Sequence, residues 1–309
     1  METDERKNDR LRELREILEA QNFTSIEEAR RFANALTKER NEAPKDDFQG
    51  LSSSQMSRLL YAPFDSPNLL SYSNKMSEPL TAPIVTLFHL LVKDINDNGL
   101  KATAKGNLPR NLCQDIALQY WGENVYKERV SYFKINKEED FFELHIVRTV
   151  AELSGLIRKQ KGSFFLTKKC RTLLVTEKPG ELFFLLYKTY VTSFNWGYWD
   201  GFEEFDLIQG SFLYTLYLIH LHGSEWQPGD FYFDCFIKAF PVILNEVPIN
   251  PYRKPLDYLK SCYLRRAFIN FVGFFGFGSV EQIKNGKLLP SEYRIKKLPL
   301  FDQFVHFHV

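Results

Sequence analysis

A chain of 309 residues and 36.3 kDa is long enough to bury a large core, so its folding needs neither disulfides nor a structural metal. Hydrophobic residues make up 44% of the chain and charged residues 26%, which excludes an intrinsically disordered protein. The formal net charge is only +1, so bulk charge does not by itself predict a polyanion-binding protein.

The first segment, residues 1–80, predicts helices joined by a polar linker. Its charged N-terminus lacks the apolar stretch of a signal peptide, and residues 7–20 have the periodicity of an amphipathic helix. A second helix is expected from Thr24 or Ser25, and Ser25 has capping-box spacing with Glu28. A third helix is expected after a cap at Ser52 or Ser53. No later segment is apolar for long enough to span a membrane, so the sequence predicts a cytoplasmic protein without a membrane anchor.

The second segment, residues 81–180, predicts a winged-helix-like unit. Helices are expected from Pro83, from a cap at Asn107 and over residues 140–154. Residues 155–167 then predict a strand, a turn and a second strand, which together would form the wing.

The bend of this hairpin is expected at Lys161-Gly162, because glycine adopts the positive φ that a tight turn requires. Thr167 follows the second strand and can cap a further helix. The order helix, helix, hairpin, helix is that of a winged-helix unit.

The third segment, residues 181–250, predicts an aromatic-rich helical middle. Residues 210–221 are almost entirely apolar, and an aromatic helix is expected over residues 230–240. The last segment, residues 251–309, predicts a helix over 255–272 and a second basic hairpin, signalled by Asn285-Gly286. The predicted fold is therefore mainly α with small β-hairpins, with tandem winged-helix-like units flanking the aromatic middle.

The sign of the net charge alternates along these four segments, whose net charges are about −3, +5, −7 and +6. Such asymmetry predicts local anion-binding surfaces on a neutral body. The alternative is that basic and acidic segments neutralise each other across internal interfaces.

Four short motifs resemble a family of uncharacterised bacterial proteins with winged-helix-like segments. They are residues 48–64 (FQGLSSSQMSRLLYAPF), residues 103–110 (TAKGNLPR), Gly155-Leu156-Ile157 with Leu166-Thr167-Lys168-Lys169, and Phe194-Asn195-Trp196. The resemblance spans most of residues 45–309 and implies a bacterial origin, but no activity is assigned to that family. The Leu-Thr-Lys-Lys piece also resembles the end of the wing in winged-helix regulators, which usually have glycine where this chain has Cys170.

Nucleic-acid binding is the leading prediction, because lysine and arginine at exposed positions bind phosphates and polar side chains read base edges. The alternatives are that these cations only solvate the surface, or that the winged helices contact proteins. The candidate residues lie on the polar helix, on the two wings and just behind the first wing: Lys101, Lys105, Arg110, Asn111, Gln114, Arg158, Lys159, Lys161, Lys168, Lys169, Arg171, Lys284, Lys287, Arg294, Lys296 and Lys297. Asn107 is expected on the same exposed helix face.

Other chemistry is not predicted. The two His-X-His pairs, at 220–222 and 306–308, have no evident third ligand, so no metal or other cofactor is expected. The acidic stretch from Asp200 to Asp206 is interpreted as a solvated loop, or as a partner for a basic block of the same chain. GxSxG and phosphate-binding glycine motifs do not occur, and the four separated cysteines predict buried thiols.

The sequence thus predicts a non-enzymatic nucleic-acid-binding or regulatory protein with no catalytic residues, whose partner is DNA or RNA. One alternative is a protein–protein interaction or scaffold module that binds an acidic protein. A further alternative is an effector or toxin-like enzyme of a mobile-element or defence system.

Overall fold

The computed structural model describes residues 23–76, 81–176, 178–198, 200–248, 253–283 and 292–309, together with residues 12, 15–17 and 21. Over these ranges the chain is mainly α-helical with three small antiparallel sheets, as the sequence predicts. A helix with the length and apolarity to cross a bilayer is not found in them.

The N-terminal segment forms two capped helices, α1 (Ile26–Glu42) and α2 (Ser53–Tyr61), and a strand, β1 (Leu70–Tyr72). The cap of α2 at Ser52 is confirmed, with a complete capping box to Gln55. Ser25 caps α1 through the Glu28 amide, but the Glu28 carboxylate accepts from Thr24 instead of completing a box with Ser25.

The first winged-helix-like unit follows the order helix, strand, helices, hairpin. Its elements are α3 (Pro83–Lys93), β2 (Leu100–Lys101), α4 (Arg110–Trp121), α5 (Glu123–Tyr132), α6 (Phe142–Leu153), β3 (Ile157–Gln160), β4 (Ser163–Leu166) and α7 (Lys168–Val175). The three strands form one antiparallel sheet in the order β2-β4-β3, so the short strand before α4 completes the wing sheet. Helix α6, in the third-helix position, packs along α3. Helix α5 is an insertion that sequence analysis did not predict.

Local signals in this unit are mostly confirmed. Lys161 and Gly162 both have positive φ, +49° and +75°, as a type I′ hairpin turn requires. Thr167 accepts a hydrogen bond from the Cys170 amide and caps α7. The predicted cap at Asn107 is wrong, because α4 begins at Arg110 after the extended Pro109.

In the rest of the chain, the part from Phe212 to Phe304 repeats this topology. The elements from Pro179 onward are α8 (Pro179–Thr192), α9 (Asp206–Gly210), α10 (Phe212–His222), β5 (Gln227–Pro228), α11 (Gly229–Ala239), α12 (Pro255–Tyr263), β6 (Gly278–Gln282), β7 (Tyr293–Lys297), α13 (Pro299–Phe304) and β8 (Val305–Phe307). A π-helical stretch, Leu264–Gly273, extends α12, and 3₁₀ turns occur at Asp46–Phe48, Glu138–Asp140 and Pro241–Glu246.

The second sheet has the order β5-β7-β6, which matches the first sheet strand for strand. Because β5 belongs to it, α10 and α11, which lie in the aromatic-rich helical region, adjoin this second sheet. The predicted turn at Asn285-Gly286 lies outside the described residues. Strand β8 pairs with β1 and joins the C-terminus to the N-terminal segment.

The aromatic excess forms the core. Tyr187 and Phe183 of α8 contact Phe304 of α13, with ring centroids 4.9 and 4.8 Å apart. Phe271 and Phe275 pack on the same cluster, and all five rings are buried. These side chains are therefore core residues and not base-stacking surfaces.

Candidate nucleic-acid interface

The register of the first sheet separates its two faces. Arg158 lies opposite Phe165, and Lys101 lies opposite Ser163, on the face away from the core. Phe164, on the other face, is fully buried. We define the outer wing face as Lys101, Arg158, Gln160, Phe165 and the turn residue Lys161.

Lys159 occupies the inner face and has a structural contact. Its Nζ lies over the Phe164 ring and donates to the Gly106 carbonyl at 2.9 Å. This bond holds the loop before α4 against the wing, so Lys159 positions the neighbouring cations.

The cations of the first unit are largely unpaired. Among the residues that the structure describes, none provides a carboxylate within 4.0 Å of the following six: Lys101, Lys105, Arg110, Arg158, Lys161 and Lys168. All six are exposed. Arg171 contacts Asp97 at 2.7 Å, but both side chains are open to solvent, so the pair is weak.

The first turn of α7 carries an unfavourable charge pattern. Lys168, Lys169 and Arg171 lie at its start, which has no acidic residue. The helix dipole disfavours cations there by roughly 0.3–1 kcal/mol each. Lys169 donates to the Ser154 carbonyl at 3.2 Å and Arg171 contacts Asp97, whereas Lys168 has no such contact among the described residues.

Helix α6, which would be the recognition helix of a DNA-binding winged helix, is internal. All of α6 is described, and Leu153 is its only exposed residue. His145 and Arg148 both contact the fully buried Glu138, the first through Nδ1 at 2.8 Å.

Opposing effects act on the pKa values of this cluster. Burial by itself would raise the pKa of Glu138, but hydrogen bonds from His145 and Arg148 and the Arg148 charge lower it. Burial also opposes the charge of Arg148, yet the Glu138 and Glu152 carboxylates raise the pKa of its guanidinium. The polar groups of α6 thus hold the unit together and do not face a groove of a duplex.

The predicted polar helix is only partly exposed. Arg110 and Asn111 are open to solvent at the start of α4. The Gln114 amide donates to the Ile135 carbonyl at 2.8 Å, and the Asn107 amide donates to Glu139 at 2.9 Å. Gln114 and Asn107 therefore do not form the exposed reading face that sequence analysis placed here.

The second wing differs from the first. Arg294 contacts Glu281 at 2.6 Å, Lys297 contacts Asp302 at 2.8 Å, and Lys296 lies 3.7 Å from Glu225. Lys284 and Lys287 lie outside the described residues. Each described cation of this wing thus has a carboxylate partner from the same chain, in pairs that are, like Arg171–Asp97, partly open to solvent.

Residues 80–181 match the family model of the Y4jL N-terminal domain. The match covers about a third of the chain and encloses the first winged-helix-like unit with its unpaired cations. Two of the four sequence motifs, residues 103–110 and the wing motif, fall inside it. Comparisons with curated proteins and with solved structures give no match.

The acidic stretch contains a buried ion pair that sequence analysis missed. Arg266 is 2% exposed and donates to both carboxylate oxygens of Asp200, from Nε at 2.6 Å and from Nη2 at 3.0 Å. Asp200 is therefore not solvated. For this residue the second interpretation of the acidic stretch holds, in which it pairs with a basic segment of the same chain. The sequence signal was weak, because Arg266 lies beside Arg265 in a helix that also contains other polar residues.

The loop that carries Asp200 also reaches the first unit. The Tyr198 hydroxyl lies 3.3 Å from Nε2 of His145, and the two rings stack. Hence one short segment contacts the Glu138 cluster of the first unit and Arg266 of the second.

The remaining candidates for catalysis or metal binding are dispersed. Within the described ranges, three or more His, Cys, Asp or Glu side chains nowhere meet in a metal-binding group. His220 packs on the Phe307 ring, and His308 contacts Ser71. All four cysteines lie in the described part and are free and buried, and burial raises the pKa values of Cys113 and Cys262 to about 12.

Proposed function

We propose that the first winged-helix-like unit binds nucleic acid, DNA or RNA, through the outer wing face and the adjoining cations, without reading base sequence. The observation that carries this proposal is the set of six exposed cations for which the described part of the chain provides no carboxylate partner. Unpaired cations keep their charge available for phosphates, and release of condensed counterions then drives binding.

The internal position of α6 supports the absence of base reading. Sequence-specific winged helices insert the third helix into the major groove, where its side chains contact base edges. Here those side chains are committed to the Glu138 cluster. Contacts from a wing and a loop reach the phosphate backbone, which carries no direct sequence information.

The test is a fluorescence anisotropy titration of labelled duplex DNA, single-stranded DNA and RNA, each in two unrelated sequences, over a series of salt concentrations. We expect a steep salt dependence and similar affinities for the two sequences. Replacing Lys101, Arg158 and Lys161 by alanine should reduce the salt slope by about one unit per lost phosphate contact.

The matched control replaces Arg294, Lys296 and Lys297 by alanine, which removes three charges that are already paired on the second wing. It should weaken binding much less than the first triple variant. Equal losses, or no binding of any nucleic acid at low salt, would overturn the proposal. The latter outcome would favour a protein partner for the basic surface.

A further inference from the structure

Two large aromatic side chains of the first unit are exposed to solvent. Tyr132 is the last residue of α5 and Phe133 caps its C-terminus, and they are 78% and 81% exposed. The other phenylalanine, tyrosine and tryptophan side chains of this unit are buried or half-buried. Contact of two large rings with water is unfavourable, and neighbouring exposed apolar side chains commonly mark a binding surface.

The backbone that follows these rings is held in place by three hydrogen bonds. The Gln114 amide donates to the carbonyl of Ile135, whose side chain is buried. The Asp140 carboxylate accepts from the backbone amides of Asn136 and Lys137, at 2.9 and 3.2 Å. The rings therefore extend from a segment of fixed shape, so a ligand that contacts them does not have to order the backbone.

The same segment leads into a basic cleft of about 510 Å³. The lining of this cleft includes Lys105, Arg110, Asn136 and Lys137. Asn136 lies three residues after Phe133, so the Cα atoms of these two residues are at most about 11 Å apart. The exposed rings and the cations of the cleft are thus neighbours on one surface.

The accessible charge of the cleft is positive. No described carboxylate lies within 4.0 Å of Lys105 or Arg110. Glu138 and Glu139 also line the cleft, but the side chain of Glu138 is fully buried and bonded within its own unit. Glu139 accepts from the Asn107 amide at 2.9 Å, and its other carboxylate oxygen is buried. An anionic group that enters the cleft therefore meets the two cations.

We propose that the first unit binds single-stranded nucleic acid in preference to a duplex, with bases stacked on Tyr132 and Phe133 and adjoining phosphates at Lys105 and Arg110. An aromatic ring stacks on any base, so this contact reads no sequence and agrees with the proposed function, on which it rests. The bases of a duplex already stack on one another, whereas those of a single strand present free faces.

The strand continues from the cleft onto the outer wing face. Lys159 of the wing donates to the Gly106 carbonyl at 2.9 Å and so joins the wing to the loop that carries Lys105. The rings, the cleft and the wing thus provide stacking at one end of the surface and unpaired charge along the rest. This combination is typical of proteins that bind single strands without sequence preference.

The test is a fluorescence anisotropy titration of the full chain with a labelled single strand of mixed sequence and with the same strand annealed to its complement. The single strand should bind more tightly at each salt concentration. Tyr132→Ala combined with Phe133→Ala should weaken its binding by about 5- to 150-fold for each base that loses its ring, which corresponds to about 1–3 kcal/mol per stacked base. The affinity for the duplex should not change.

The salt dependence separates stacking from charge. Stacking releases no counterions, so removing both rings should leave the salt slope for the single strand unchanged. Alanine at Lys105 and Arg110 should instead reduce that slope, because each lost phosphate contact releases fewer counterions.

Two control variants show whether the rings themselves matter. Tyr132→Phe combined with Phe133→Tyr keeps both rings and should retain the affinity for the single strand. Tyr61→Ala removes a tyrosine of α2 that is 83% exposed and lies outside the first unit, and it should have no effect. Equal affinities for single strand and duplex, or an equal loss of both when the rings are removed, would overturn the inference.

The inference and the proposed function fail separately. Equal binding of single strand and duplex, unaffected by removal of the rings, would keep the proposed function and reject the inference. Single-strand binding that depends on the rings but not on Lys101, Arg158 and Lys161 would keep the inference and reject the outer wing face as the binding surface. Failure to bind any nucleic acid at low salt would reject both.

Discussion

Asp200→Asn should destabilise the protein far more than the loss of one surface charge. The side chains of Arg266 and Asp200 are 2% and 1% exposed. With the carboxylate charge removed, the Arg266 guanidinium stays buried with uncharged partners, such as the Glu203 carbonyl at 2.9 Å. Breaking a buried pair from one side costs about 3–5 kcal/mol, because the remaining charge is uncompensated.

The chain contains a matched control. Arg294 also donates two hydrogen bonds to one carboxylate, that of Glu281, but these side chains are 47% and 46% exposed. Water solvates the remaining charge there, so Glu281→Gln should cost less than about 1 kcal/mol.

Urea unfolding followed by circular dichroism measures both free energies of unfolding. Asp200→Asn should lower the midpoint by about 1 M or more, whereas Glu281→Gln should shift it only slightly. The double variant Asp200→Leu with Arg266→Met should recover part of the loss, since it removes both buried charges. Equal costs for Asp200→Asn and Glu281→Gln would refute the argument from burial.

Two further predictions concern packing and pH. A Cβ at Gly180 would overlap the backbone oxygen of Asn74, so Gly180→Ala should cost about 1–3 kcal/mol of unfolding free energy. At Gly210 the space around the added Cβ is open, so Gly210→Ala should change the free energy of unfolding by no more than about 0.5 kcal/mol. Similar free energies of unfolding for the two variants would contradict the argument from steric overlap. The pKa of Glu138 lies below its ordinary value of 4.5, so its stabilisation is fully present above that pH and is lost as pH falls through the lowered pKa. The free energy of unfolding should therefore fall more steeply with decreasing pH in the wild type than in Glu138→Gln. Parallel pH dependences of the two proteins would exclude this stabilising role of Glu138.

Features that depend on a few neighbouring residues could be predicted from the amino-acid sequence. Ser52 and Thr167 cap helices as predicted, because a cap needs only a side-chain oxygen near the next amides. The first wing turns at Lys161-Gly162, since a two-residue hairpin requires positive φ there. Apolar and aromatic periodicity likewise predicted which helices are buried.

Which charged side chains remain without a partner depends on long-range packing and could not be predicted from local sequence patterns. Arg266 meets Asp200 across 66 positions of sequence, and Glu225 reaches Lys296 from another element, so local pattern predicted neither contact. The two basic wings have similar sequence signals, yet the described cations of one are paired and most of those on the other are not. The physical reason is that a cation's partner depends on how distant segments pack, whereas caps and turns depend on the local backbone.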